Sequence, residues 1–513
     1  MQSAYTTGNG LELLTPDEMA QADRGAIAAG RDDGYGLMQN AGASVLRELL
    51  ARYPQSTRFD VLAGPGNNGG DGYVVARLLA EAGAAVRLYA EGAPRAGSDA
   101  AMAAADCPVE RRPLADFAPT RDAVVVDALY GAGLSRALEG AAANAAAACN
   151  AAGATVVAVD LPSGVSGETG RAPGEAFAAA LTVTFFRLKP GHLLEPGRRL
   201  CGETIVADIG IHAAVLDDIR SRLFRNAPGL WRAALPRSSR DQHKYSRGHV
   251  AVFSGGPAST GAARLSAIAA ARSGAGAVTV FSPANAMIVN AAHLTSIMLR
   301  KVDDAGDFGE AVAARRPDAY VLGPAFGLHR PVRDMVNAVL GTPNAGTLVL
   351  DADGITAFRD EPEALFAAVR QSALSLVLTP HEGEFARLFA DIAGDASLSK
   401  VEKARVAAAL SHGVVVYKGP DTVIAAPDGR AAINANGVPW LATAGSGDVL
   451  AGIIAGLAGQ GMPAFEAACA GVWLHAEAAS RFGRGLIAED LPLAMVPVLA
   501  GLFDAAEGGE ALR

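Results

Sequence analysis

Short apolar runs recur along this chain with helix-length segments between them, and that alternation limits the fold more than any other feature. FDVLAG (59–64), AVRLYA (85–90), AVVVDAL (123–129) and TVVAVDL (155–161) read as buried parallel strands, and LTVTFF (181–186) and ETIVADIG (203–210) extend the same sheet. The rhythm fails over residues 213–243, which are charged, Pro-containing and irregular. It restarts with GHVAVFSGG (248–256), AVTVFS (277–282), AYVLGP (319–324), TLVLDAD (347–353), LSLVLTP (374–380) and GVVVYKG (413–419). The pattern predicts two doubly wound α/β domains: a flexible 1–10, a first domain over 11–215, a linker over 216–243 and a second domain over 244–513. In such sheets ligands bind beyond the C-terminal ends of the strands.

Length agrees, since 513 residues exceed what one ordinary core organises. Thr15-Pro16-Asp17-Glu18 starts a helix, with Thr15 as N-cap and Glu18 closing a capping box. A second amphipathic helix follows through Leu37, Met38, Val45, Leu46, Leu49 and Leu50. The Ala-rich stretch 141–148 reads as a crossover helix, a hairpin is expected over 421–435 around Asp428-Gly429, and two closing helices after it. A net charge of −9 without any basic block excludes a nucleic-acid or membrane surface as the expected partner. Cys107, Cys149, Cys201 and Cys469 lie far apart, so neither a disulfide framework nor a zinc site is expected. MQSAYTTGNG has no basic start or apolar core, and no uninterrupted apolar run of about 18 residues occurs. A soluble, cytoplasmic protein is the expectation.

Unusual residues gather at the ends of the apolar runs. Gly64-Pro65-Gly66-Asn67-Asn68-Gly69-Gly70-Asp71-Gly72 joins the first strand to a helix and is not the GxGxxG fingerprint. Asp127 and Asp160 end two further strands, where a buried carboxylate is costly unless it meets a cation, donors or a substrate. Asn68, Asp127 and Ser163 offer oxygen-only ligands that suit a hard cation. Lys189, in FFRLKPGHL, ends yet another strand. In the second half Ala444-Gly445-Ser446-Gly447 runs into Asp448 and an apolar helix. Unpaired N–H groups at that helix start suit a phosphate, and Asp448 suits removal of a hydroxyl proton. Lys418-Gly419-Pro420-Asp421-Thr422, His381, the turn 323–327 and Ser259-Thr260-Gly261-Ala262 fall at other strand ends. Singly each is an ordinary loop, and a lone His381 is more often a structural residue than a substrate ligand; together they describe one site.

GPGNNGGDG (64–72), DALYGAGL (127–134), VDLPSG (159–164) and LMQNAG (37–42) make residues 11–215 similar to the NAD(P)H-hydrate epimerase family, the YjeF N-terminal domain. The resemblance implies a Rossmann-like αβα sandwich. It implies that Asn67, Asn68, Gly69, Gly70 and Asp71, with Gly131, Ala132, Gly133, Leu134, Ser135, Arg136 and Ala137, hold the hydrated cofactor. Asn68, Asp127 and Ser163 would bind K⁺ and Asp160 would contact substrate; DLPSG replaces the commoner DIPSG. An acid–base pair suffices to exchange the two configurations of a labile hemiaminal, and Asp160 with Lys189 as helper is the expected pair.

TPHEGEFARL (379–388), KGPDT (418–422) and TAGSGDVLAG (443–452) make residues 225–505 resemble the ribokinase-like superfamily, within it the ADP/ATP-dependent NAD(P)H-hydrate dehydratases. That resemblance implies a second αβα sandwich. Ala262, Gly327, His381 and Asp448 would contact the hydrate, and Lys418, Gly419, Pro420, Asp421, Thr422, Gly445 and Gly447 would bind ADP or ATP with Mg²⁺. ADP is the favoured donor and a homo-oligomer the expected assembly. Ala325-Phe326 departs from the family's Gly-Leu, at a cost in backbone freedom. Two other functions remain open from sequence alone: a hydroxymethylpyrimidine- or sugar-type kinase fused to an epimerase-like domain, and a binding module.

Overall fold

The structure is a computed structural model and describes residues 10–30, 33–56, 58–236, 243–244, 246–313, 316–328 and 332–507. The chain forms two compact units, Met1–Leu223 and Phe224–Arg513. The boundary falls inside the stretch 216–243 expected as a linker. The flexible terminus expected over 1–10 lies, but for Gly10, outside the described residues.

The first unit opens with helices α1 (Pro16–Ala28) and α2 (Gly34–Arg52). The Thr15 hydroxyl accepts the Glu18 N–H (3.2 Å) while the Glu18 carboxylate accepts the Thr15 N–H (2.8 Å), so the expected capping box forms. Seven strands follow: β1 (Arg58–Ala63), β2 (Ala85–Ala90), β3 (Arg111–Pro113), β4 (Val124–Ala128), β5 (Thr155–Val159), β6 (Leu181–Phe185) and β7 (Glu203–Ala207). They pair in parallel in the order β3-β2-β1-β4-β5-β6-β7. Neighbouring residues of one strand point to opposite faces, and both faces are covered. Val61, Val126 and Val157 pack with helix α3 (Asn67–Glu81), while Leu62, Val125 and Ala158 pack with the Ala-rich crossover helix Gly140–Ala152.

The second unit carries β8 (Leu223–Asn226), which spans the boundary, then β9 (His249–Phe253), β10 (Ala277–Ser282), β11 (Met298–Lys301), β12 (Ala319–Leu322), β13 (Gly346–Leu350), β14 (Leu374–Leu378), β15 (Val414–Tyr417), β16 (Val423–Ala425) and β17 (Ala431–Asn434). Their order is β11-β10-β9-β12-β13-β14-β15-β16-β17-β8. The neighbouring pairs from β11 to β15 are parallel, and β16 and β17 form the antiparallel hairpin expected around Asp428-Gly429. β8 fixes the far edge: the Asn226 amide donates to Asn434 Oδ1 (3.0 Å) and Cys469 O (2.8 Å), and Trp231 Nε1 donates to Asn226 Oδ1 (3.1 Å). Three closing helices follow rather than the expected two: Ser446–Ala458, Ala464–Phe482 and Leu491–Glu507. A Cβ on Gly452 would lie 2.2 Å from Ser266 O, so this glycine lets the helix Ser446–Ala458 touch Gly261–Arg272 backbone to backbone. No helix among the described residues is long and apolar enough to cross a membrane.

Loop closure in the first unit depends on two glycines after β1. A Cβ on Gly64 would meet Leu129 O at 1.8 Å, and one on Gly69 would meet Gly64 O at 1.8 Å. Gly133, by contrast, faces open space. Gly69→Ala is therefore expected to destabilise the first unit by about 2 kcal/mol, the usual scale of overpacking, while Gly133→Ala changes stability by less than about 0.5 kcal/mol. Urea unfolding of the two variants checks the contrast.

Candidate functional site

In the first sheet the chain reverses its direction of travel between β1 and β4, and the crevice this leaves beyond the strand ends is where such folds hold ligands. A cavity of about 680 Å³ lies there. Asn67, Asn68, Asp71, the loop from Gly131 to Arg136, Asp160 and Lys189 all line it. Gly69, Gly70 and Ala137, expected to hold substrate, do not: Gly69 abuts Gly64 O, Gly70 abuts the Met38 side chain and Ala137 lies beside Gly174. Sequence reasoning missed Asp23 of α1, which lines the same cavity and carries no local motif.

At the floor of this cavity Asp160 stands just past β5 with φ +64°, a left-handed conformation that Asp tolerates better than most residues. Its Oδ1 accepts from Lys189 Nζ (2.7 Å) and from the Thr184 hydroxyl (2.9 Å), and its Oδ2 accepts from the Ala132 N–H (3.0 Å). Lys189, 2% exposed, also donates to Thr184 Oγ1 (2.9 Å) and Phe185 O (3.4 Å). The pair expected to exchange protons is thus a closed ion pair in which three acceptors surround the ammonium. Burial alone would raise the Asp160 carboxyl. The Lys189 charge, with help from His192 and the Ala132 N–H, outweighs it and holds the group well below the usual carboxylate range. His192 Nδ1 accepts the Lys189 N–H (2.9 Å), so its Nε2–H donates to Asp160 O (2.8 Å), and burial pushes the ring down to about 4.

Asp127 ends β4 fully buried. Its carboxylate accepts the Ser163 N–H (2.7 Å), the Ser163 hydroxyl (2.6 Å) and the Leu129 N–H (3.3 Å). All these donors are neutral, and burial pushes the group up to about 6. Asn68 Nδ2 is buried without a partner, and its Oδ1 lies 3.1 Å from where a Gly131 Cβ would stand. An uncompensated buried carboxylate among oxygen donors fits a hard cation.

In the second unit Gly445, with φ +87°, turns the chain into the helix Ser446–Ala458 and sets Asp448 in its first turn. Lys418, just past β15, donates to Asp351 Oδ1 (2.9 Å) and lies 4.0 Å from Glu384. A Cβ on Gly447 would be 3.5 Å from that ammonium and 3.8 Å from Asp351 Oδ2, so helix start, lysine and carboxylate share one corner. Burial, reinforced by Asp351 and opposed by Lys418, pushes Asp448 up to about 6.

Around this corner the other expected residues divide. His381 caps the helix Glu382–Leu388, its Nδ1 accepting the N–H groups of Gly383 (2.9 Å) and Glu384 (3.3 Å), with the ring partly exposed. Thr422 closes the 419–422 turn, accepting the Gly419 N–H (3.1 Å) and donating to Gly419 O (2.8 Å). Asp421 pairs with Lys400, and Pro420 between them is exposed. Gly327 donates to Asp353 Oδ2 (2.8 Å), and Ala262 lies in the helix packed on Asp448, whose carbonyl accepts the Ser266 hydroxyl (2.8 Å). Ala325 does adopt the costly positive φ (+48°), while Phe326 packs against Phe253. Asp351, Glu384 and Lys400 were missed. Asp351 ends a buried apolar strand, the same signal that flags Asp127 and Asp160.

Two family models match this chain: one described as YjeF-related protein N-terminus over residues 34–191, and one described as NAD(P)H-hydrate dehydratase over residues 250–494. A Coxiella burnetii protein named bifunctional NAD(P)H-hydrate repair enzyme Nnr is 35% identical, covering 92% of this chain and 96% of its own. Its Moorella thermoacetica namesake is 36% identical over 93% and 95% of the two chains. The Escherichia coli namesake is 32% identical over 89% and 88%. Among solved structures, the ADP/ATP-dependent NAD(P)H-hydrate dehydratase from Bacillus subtilis co-crystallized with ATP/Mg²⁺ is 26% identical, with a TM-score of 0.47, covering 54% of this chain and 98% of that one.

Lys189→Met leaves Asp160 buried without its cation and is expected to remove about 3 kcal/mol of stability from the first unit at pH 7. Asp160 has a depressed folded value. Its contribution is therefore complete above about pH 4, its unfolded value, and disappears as pH falls toward the folded one. Urea unfolding at pH 7 and pH 3 checks both the loss and its narrowing in acid.

Proposed function

The chain belongs to the family of bifunctional NAD(P)H-hydrate repair enzymes, and from that premise we propose how its two sites divide the work. It is an epimerase and a dehydratase in one chain. The first activity interconverts the R and S hydrates of NADH and NADPH; the second returns the S hydrate to NAD(P)H using ADP or ATP. The small-molecule kinase and the binding module left open by the sequence give way to this reading.

We assign the epimerase to residues 11–215 and the dehydratase to 244–513. The observation that carries the second assignment is the corner shared by Asp448, Lys418 and Asp351 at the mouth of a helix. Hydroxide is a poor leaving group, and phosphorylation converts the ring hydroxyl into a good one. Asp448 removes the hydroxyl proton as the oxygen attacks the terminal phosphoryl group. The N–H groups of residues 445–447 and the Lys418 ammonium oppose the charge that develops on it. The ring nitrogen then expels phosphate, leaving an iminium at carbon 6, and loss of a proton from the adjacent ring carbon 5 forms the C5=C6 double bond of the reduced nicotinamide. Mg²⁺ accompanies the nucleotide in this reading, supplying charge neutralisation at the phosphates. No group of three His, Cys, Asp or Glu side chains placed to hold a metal occurs among the described residues, and Asp351 with Glu384 are the oxygen donors at hand. ADP is the favoured donor.

In the first domain the cavity takes the hydrated nicotinamide nucleotide, with Asn67, Asn68 and the loop 131–136 around it. Asn68, Asp127 and Ser163 hold K⁺, which offsets the buried Asp127 charge. Fusion of the two activities suits the chemistry, because a dehydratase specific for one configuration strands the other. The reading extends to a homo-oligomer in a reducing cytoplasm, consistent with four buried cysteines that form no disulfide.

Asp448→Asn is expected to lower the dehydration rate by roughly 10³-fold, within the range a positioned base supplies, while R/S interconversion continues. In the wild-type chain dehydration should rise with pH through about 6, because Asp448 acts in its ionised form. Recovery of reduced-nicotinamide absorbance from the S hydrate with ADP, followed across pH, tests both.

A further inference from the structure

Four carboxyl groups line the first cavity, from four different elements: Asp23 on α1, Asp71 on α3, Asp99 at the start of the helix Asp99–Asp106 and Asp160 past β5. One ammonium, that of Lys189, lies among them. Its three protons have three acceptors, Asp160 Oδ1, Thr184 Oγ1 and Phe185 O, so none remains for Asp71 or Asp23. Asp160 is equally committed, with Lys189 and Thr184 on one oxygen and the Ala132 N–H on the other. Lodged against an ammonium, it stays an anion and is a poor acceptor of a substrate proton. Asp71 has no hydrogen-bond or ion-pair partner among the described residues.

We propose that Asp71 is the proton-exchanging group of the first site, with Asp160 a fixed anion facing the ring and Lys189 the residue that positions it. This rests on the epimerase reading of the domain. Asp71 gives its proton to the hydroxyl on ring carbon 6. The C–O bond breaks, water leaves, and the lone pair of the ring nitrogen forms the C=N bond of an iminium. Its positive charge faces the Asp160 carboxylate. Water then adds to either face, the C–O bond forms again, and the surplus proton returns to Asp71 directly or through one intervening water. No proton is gained or lost over the cycle.

Electrostatics agrees with this division. Burial, then the charges of Asp160 and Asp23, raise Asp71 well above the usual carboxylate range, with Lys189 opposing, which favours its protonated form. Asp23 is pushed up to about 6, chiefly by burial, and faces the same groups. Asp99 and Arg136 also line the cavity, and His192 behind Asp160 is neutral.

The test uses the full chain, a mixture of R and S hydrates, and ADP. The wild type should recover the whole mixture as NAD(P)H. Asp71→Asn should recover the S half promptly and the R half at a rate lowered roughly 10²–10⁴-fold, with KM for the R hydrate within about threefold of wild type. The wild-type epimerase should also lose activity as pH rises and Asp71 ionises, and the residual activity of Asp71→Asn should lack that limb. Asp71→Glu, which restores a carboxyl, should regain part of the rate. The proposal is overturned if Asp71→Asn epimerises within threefold of wild type, if its loss lies wholly in KM, or if the fall in activity with rising pH persists. A wild-type chain that recovers only the S half overturns the epimerase reading itself, and the proposal with it.

Discussion

A carboxylate placed at the end of a buried parallel strand must find compensation close by, and in both units a lysine past another strand supplies it. Asp160 meets Lys189 at 2.7 Å in the first unit, and Asp351 meets Lys418 at 2.9 Å in the second. These side chains leave the apolar sheet where its strands stop, so desolvation would neutralise the acid without the cation beside it. The pairing therefore both permits a polar floor over an apolar core and fixes charge beyond the strand ends. Asp127 is the instructive exception: its partners are all uncharged, and burial pushes it up to about 6.

Most of the fold was legible because central strands of a doubly wound sheet are buried on both faces and announce themselves as apolar runs. Of the edge strands, β7 was legible, within ETIVADIG (203–210), and β3, β11 and β8 were not. β3 consists of Arg111, Arg112 and Pro113, all exposed, and β11 is largely exposed too. β8 was hidden in a stretch that looked irregular because its four residues, Leu-Phe-Arg-Asn, alternate with short helical turns on both sides. It is hydrogen-bonded beside β17, and the Asn226 amide ties it to two further acceptors, a long-range arrangement that no local pattern encodes.

The sites divide along similar lines. Loop motifs located the residues from 64 to 72, from 131 to 136 and from 444 to 448, because glycine spacing reports backbone geometry. The motif did not tell a glycine that lines the cavity from one packed inside the protein, and Gly69, against Gly64 O, and Gly70, against the Met38 side chain, are of the second kind. Side chains that reach a cavity from the middle of a helix, such as Asp23, leave no trace in composition. The Asp160–Lys189 pairing was expected as chemistry; in the structure that ammonium makes three hydrogen bonds, one of them to Asp160, a geometry that spacing alone does not report.

The backbone at Asp160 has a consequence of its own. At φ +64° that site admits readily only glycine, asparagine and aspartate, since other side chains crowd the preceding peptide. The neighbouring ammonium, for its part, asks for a negative side chain, which leaves aspartate and glutamate. The two short vocabularies share a single word. An amino acid chosen there on conformational grounds and one chosen on electrostatic grounds coincide, so drift at this codon has no neutral direction to take.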